Sequence, residues 1–189
     1  MSDIKELILA DAKIRKERYS DRMTITELEL EDLPSGLKHY SVEVYGLHGY
    51  LPINYLTVEN DETDFYTSLR KGDFIRLLKR LCSIETDRFS ALDIAILFLL
   101  LEHPSRDRRI IEKIEDIALP EAMKESDRQD IAHAITAPTK TYVDGGLECS
   151  FVCLNVRTSG IEKYIVRISA DYTLSGESGE LLHFGHISN

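Results

Sequence analysis

Leu147–Val156 (LECSFVCLNV) and Ile161–Tyr172 (IEKYIVRISADY), parted by Thr158-Ser159-Gly160, decide the fold class. Both runs are rich in β-branched and aromatic residues, and the break carries the glycine that a hairpin turn favours. Lys140–Val143 precedes them across Asp144-Gly145-Gly146, and Glu180–Ile187 follows Ser175–Gly179, so an antiparallel meander is expected over 137–189. Upstream the punctuation stops: of ten glycines, none falls between Gly72 and Gly145. A glycine-free stretch of that length predicts packed helices.

The expected helices are residues 64–82, with Phe65, Leu69, Leu77, Leu78 and Leu81 inward, and 90–102, ended by Pro104. Two more are expected from Ser105 to Ile117, with Ile110, Ile111, Ile114 and Ile117 at helical spacing, and from Pro120 to Ile135. Toward the amino terminus, Ser2 or Asp3 caps a helix over 2–18 that turns Ile4, Leu7, Ile8 and Ile14 to the core. Strands follow at Met23–Leu30, Tyr40–Tyr45 and Tyr50–Val58, the last two joined by Gly46-Leu47-His48-Gly49. Pro52 removes a ladder donor, so the last strand reads as an edge or as starting after it. The expectation is one α+β domain over 1–189: a helix over 1–22, strands over 23–60, helices over 61–136 and the meander. An antiparallel sheet from both flanks packs on the central helical block.

The chain has 189 residues, with 43% apolar and 30% charged, an ordinary globular mixture. A pI near 5.1 disfavours direct nucleic-acid binding, which needs Lys and Arg on phosphates. Ala91–Leu101 (ALDIAILFLLL) is about half the ~20 residues that span a bilayer and reads as a buried helix. Residues 1–22 carry charges from the third position, and the apolar run Ile8–Ala10 is too short for a signal peptide. Cys82, Cys149 and Cys153, an odd count, fit a reducing cytosol. On one strand Cys149 and Cys153 share a face, yet lie ~13 Å apart, too far to bridge.

Chemical motifs are sparse. His183 and His186 fall on opposite faces of a strand, a poor arrangement for shared metal ligation. Glu102-His103 lacks the second histidine of a zinc-protease helix. Arg106, Arg108 and Arg109 resemble a phosphate grip, but on the expected helix pairing such as Arg108 with Glu112 accounts for them. No Gly-x-Ser-x-Gly elbow, phosphate loop or dinucleotide fingerprint is present. Nothing calls for a catalytic set, a metal or a cofactor.

The charge is uneven. Met23–Tyr66 holds nine carboxylates against Lys38 alone, −8 of the chain's −10, and five of the nine tyrosines. Glu27, Glu29, Glu31, Asp32, Glu43, Glu59, Asp61, Glu62 and Asp64 form either the solvated outer face of a sheet or a docking surface for a basic protein. Glu27, Glu29 and Glu31 alternate with Leu28 and Leu30, as an outer face requires. In the docking reading the carboxylates steer association, and Tyr45, Tyr50 and Tyr55 supply anchors.

An acidic α+β chain with this tyrosine-bearing hairpin and a terminal meander (YIVRISADYTLSGESGELLHFGHIS, from Tyr164) resembles the immunity proteins of bacterial polymorphic toxin systems. The likeness is one of layout, and no residue pattern transfers. It implies a cytoplasmic, non-enzymatic protein that binds and inactivates a toxin, often a nuclease. Two alternatives stand beside it: a small-molecule sensor or hydrolase-like enzyme with a pocket between helices and sheet, using dispersed His and Asp/Glu, and an oligomeric scaffold pairing through the edge near Pro52.

Overall fold

The computed structural model describes residues 3–16, 23–30, 33–46, 49–60, 64–82, 89–103, 108–119 and 123–183, with backbone only for 44–46, 49–51, 82 and 180–183. It is α+β, as expected, but each flank builds its own antiparallel sheet. Two compact units result: residues 1–88 with 96–105, and residues 89–95 with 106–189.

The first unit begins with α1 (Ile4–Arg15), whose start is capped by the Asp3 carboxylate accepting from the Lys5 N–H at 3.0 Å. A four-stranded sheet follows in the order β1 (Met23–Leu28), β2 (Leu37–Gly46), β3 (Gly49–Val58), β4 (Tyr66–Thr67). The register pairs Ile25 with Val42 and Val42 with Ile53, which puts these three on one face together with Tyr40 and Tyr55. Ile8 and Ala12 of α1 are buried against that face. Ile14, expected inward, is 80% exposed, because the buried stripe runs through Ile8 and Ala12 at i, i+4. Pro52 lies inside β3, opposite Glu43, on a stretch that β4 does not cover, since β4 pairs only with Tyr55 and Leu56.

The opposite face carries buried His39, Ser41, Asn54 and Leu56. His39 Nε2 is 3.0 Å from the Asn54 Oδ1, and Asn54 Nδ2 donates to the Leu100 carbonyl of α3 (Ala91–Leu101). Phe98 of α3 meets Phe74 of α2 (Asp73–Cys82) edge to face at 5.4 Å. The helix expected over 64–82 is therefore only its second half. Residues 66–67 join the sheet and Gly72, at φ +88, turns the chain into α2, a conformation that favours glycine. Among the described residues, no helix is long and apolar enough to cross a membrane.

In the second unit, β5 (Arg108–Ile110) and β6 (Thr139–Val143) both pair with β7 (Gly146–Asn155), β5 along its last three residues and β6 along its first five. β8 (Gly160–Ile168) and β9 (Leu174–His183) continue the sheet. A 3-10 turn (Ile114–Asp116) and α4 (Glu125–Ala134) cover one face, where Ile111, Ile117, Ile131 and Ile135 close on Val152 and Ile161. The helix expected over 105–117 is thus a strand followed by a 3-10 turn. Its isoleucines meet the sheet through β5, and the Ile111 N–H donates to the Val152 carbonyl.

The last turn also moves. Ser175–Gly179 lies within β9, and the chain reverses at 169–173 without a glycine. There the Ser169 hydroxyl donates to the Asp171 carboxylate, which also accepts the Thr173 N–H, and Tyr172 takes φ +65.

The α1 packing gives a contrast of two isoleucines about one and two-thirds turns apart. Ile8→Ala should cost about 2–4 kcal/mol, and Ile14→Ala should stay within about 0.5 kcal/mol. Urea denaturation followed by circular dichroism measures both.

Candidate functional site

The acidic segment is distributed by strand register. β1 ends at Leu28, opposite His39, and β3 ends at Val58, opposite Leu37, so both strands finish at the same end of the sheet. Glu27, Glu29 and Glu59 lie there, the last tied to that end by its N–H donating to the Gly36 carbonyl at 2.9 Å. Asp64 precedes Tyr66, whose partner is Leu56, and belongs to the same end. Glu43 lies opposite Thr24 and Pro52, nearer the β2–β3 connection and on the face opposite Glu27. Glu31, Asp32, Asp61 and Glu62 lie outside the described residues. Tyr45 and Tyr50 are direct register partners at the hairpin end, where only the backbone is described.

Two expectations are corrected. Glu27 does not alternate away from the core: it has the parity of Met23 and Ile25, which pack on the α1 side, and Leu30 is exposed. The phase of β1 follows Ile25, not Leu28 and Leu30. Tyr55 is no surface anchor, since it is fully buried and its hydroxyl donates to Asp11 Oδ2 at 3.0 Å. Burial, and then the nearby Asp11 charge, push its phenol well above the usual tyrosine range.

Counter-ions from the helices divide the acids further. Glu27 pairs with Lys5 of α1 at 3.1 Å, and Asp64 with Arg76 of α2 at 3.0 Å. Glu29 and Glu59 are exposed and form no ion pair among the described residues. Beneath this end runs a network that the sequence reading did not anticipate. Asp73, 1% exposed, accepts the Thr67 N–H at 2.8 Å and faces Arg76 at 3.3 Å and Arg70 at 3.6 Å. Arg70 reaches Asp11 at 3.8 Å, which also binds Arg15 at 2.7 Å. Burial pushes the Asp73 carboxyl above its usual range, and the Thr67 N–H and both arginines oppose that rise.

The second unit has its own polar centre. Glu162 accepts from Arg108 Nε at 2.8 Å, from the Tyr164 hydroxyl at 2.8 Å and from Asn155 Nδ2 at 2.7 Å. Burial alone pushes its carboxyl up, but the donors from Asn155, Tyr164 and Arg108 outweigh it and hold the group below the usual range. Arg108 therefore pairs across the sheet and not with Glu112, because it lies on a strand. Cys149 and Cys153 are buried on one face of β7, and burial pushes both thiols up to about 12, far from the reactive thiolate range.

Among the histidines, His133 is exposed on α4 with Nδ1 2.7 Å from the Gln129 carbonyl. His183 ends β9 with only its backbone described, and His186 lies outside the described residues. Among the described residues, no three His, Cys, Asp or Glu are placed to share a metal ion. Comparison of the chain with protein-family models, curated proteins and solved structures returned no match.

The Glu162 centre gives a signed pH dependence. Its folded value lies below the unfolded one, so its stabilisation is complete above the ordinary glutamate value of 4.5 and is lost as pH falls through the folded value. Glu162→Gln should be less stable by about 1–3 kcal/mol at neutral pH. The deficit should shrink as the pH drops below 4.5. Urea midpoints measured across the acid range read both.

Proposed function

We propose that the chain is a non-enzymatic binding protein that occludes a basic protein partner, as an immunity protein does a toxin or nuclease. One observation carries the reading. Eight of the ten surplus negative charges fall in Met23–Tyr66, and the described acids Glu27, Glu29, Glu59 and Asp64 stand at one end of the four-stranded sheet. Lys5 and Arg76 neutralise two of them, which leaves Glu29 and Glu59 to project charge into solvent.

Such charges act over about 8 Å at physiological salt, enough to steer a basic surface during encounter. A cytosolic location is part of the proposal and fits three cysteines of which Cys149 and Cys153 are free.

The partner is first identified by affinity capture from native lysate, and its association is then followed by stopped flow. Glu29→Lys with Glu59→Lys should slow association about three- to tenfold at low ionic strength and flatten its salt dependence. Glu115→Lys with Asp130→Lys makes the same change in net charge in the other unit and should have a smaller effect. Equal rates for wild type and the first pair, or equal slowing by both pairs, would overturn the reading.

A further inference from the structure

A groove of about 390 Å³ opens between the β6–β7 turn and the β8–β9 turn. Two features shape it. The β6–β7 hairpin reverses through Asp144 and Gly145, both at positive φ (50 and 75), the geometry of a two-residue primed turn. Beside it Gly146 lies so close to β8 that a Cβ there would stand 2.5 Å from the Ile168 carbonyl oxygen. The missing side chain lets the two strands approach this closely beneath the groove.

Val143, Leu147 and Ile168 supply apolar wall, and Val143 is 53% exposed. The charged lining is Asp144, Glu148 and Arg167. Arg167 is already engaged on both sides: Nε donates to Glu148 Oε2 at 2.8 Å and Nη1 to Glu177 Oε1 at 2.6 Å. Two carboxylates thus hold one guanidinium, and Asp144, on the same groove wall, forms no ion pair among the described residues. Glu148 and Glu177 together outweigh the single charge of Arg167, so an anion entering the groove meets net negative charge. A cation meets surplus negative charge directly, and the apolar wall suits the methylene stem of a long basic side chain.

We infer that this groove binds a lysine or arginine side chain presented by a protein partner. The inference concerns the second unit and stands whether or not the acidic end of the first unit docks anything.

The test uses the full ¹⁵N-labelled chain titrated with Nα-acetyl-L-arginine N-methylamide and followed by amide chemical shifts. Saturable shifts are expected at Val143–Glu148 and Ile168–Ser175, while the neutral citrulline analogue leaves these amides unmoved. Asp144→Asn should weaken binding about two- to fivefold, the effect of one exposed charge. Asparagine tolerates the positive φ of this position, so the variant keeps the hairpin. The inference is overturned if the citrulline analogue binds equally, if Nα-acetyl-L-glutamate N-methylamide shifts the same amides, or if no saturable shift occurs there. None of these results would alter the association kinetics of the Glu29 and Glu59 variants.

Discussion

A carboxylate with almost no access to water governs the first unit. Asp73 opens α2, where the helix dipole favours an acid, but dipole alone does not repay burial of a charge. The Thr67 N–H, Arg70 and Arg76 offset part of that cost, and each ties Asp73 to a different neighbour. Thr67 brings β4 onto the helix. Arg76 lies over the Tyr66 ring at 4.6 Å and donates to the Phe65 carbonyl, and Arg70 extends to Asp11 of α1. Asp11 in turn receives the Tyr55 hydroxyl, so the largest buried side chain of β3 keeps its polar end satisfied. Removing Asp73 would strand the Thr67 N–H of β4 and the guanidinium groups of Arg70 and Arg76, so the loss would exceed that of any single pair in the network.

Asp73 and Glu162 show how the same two forces reach opposite outcomes. Both are removed from water and both hold arginine, yet burial wins at Asp73 and hydrogen bonding wins at Glu162. Glu162 receives three side-chain donors at 2.7–2.8 Å. Asp73 has one backbone donor at hydrogen-bond distance, with its guanidinium groups at 3.3 Å and beyond. By linkage, the folded state holds the Asp73 proton more tightly than the unfolded chain does, so Asp73 favours folding on the acid side and costs stability as pH rises through its folded value. Glu162 does the reverse, so the two units respond to acid in opposite senses at these positions.

Local periodicity made α1, α3, the β2–β3 hairpin and the β6–β7 pair legible in sequence, because each is specified by residues within a few positions of one another. The failures occur where two conformations satisfy the same pattern. Ile110, Ile111, Ile114 and Ile117 have helical spacing, yet a three-residue strand and a 3-10 turn also bring Ile111 and Ile117 to one core, and the free edge of β7 selects that solution. Ser175–Gly179 has the composition of a turn, but side-chain bonds from Ser169 and Asp171 close a different reversal and leave its glycines within β9. The acid excess was readable as a count. Its placement depends on which strands end beside each other and on the parity of β1, a long-range property that composition does not hold.

Those constraints change what the net charge means. The helices of the first unit carry the cations that the segment Met23–Tyr66 lacks, and they neutralise the acids within their reach: Lys5 holds Glu27, and Arg76 holds Asp64. Paired charges contribute little field beyond their own separation, whereas Glu29 and Glu59 stand at strand ends beyond those pairs. Among the described acids of this segment, the charge without an ion pair at the end where β1 and β3 finish is therefore that of Glu29 and Glu59, while Glu43 lies nearer the hairpin end on the other face. With Tyr55 committed to Asp11, the docking proposed for the acidic end would rest on charge more than on aromatic anchoring by that residue, and so on association rate more than on residence time.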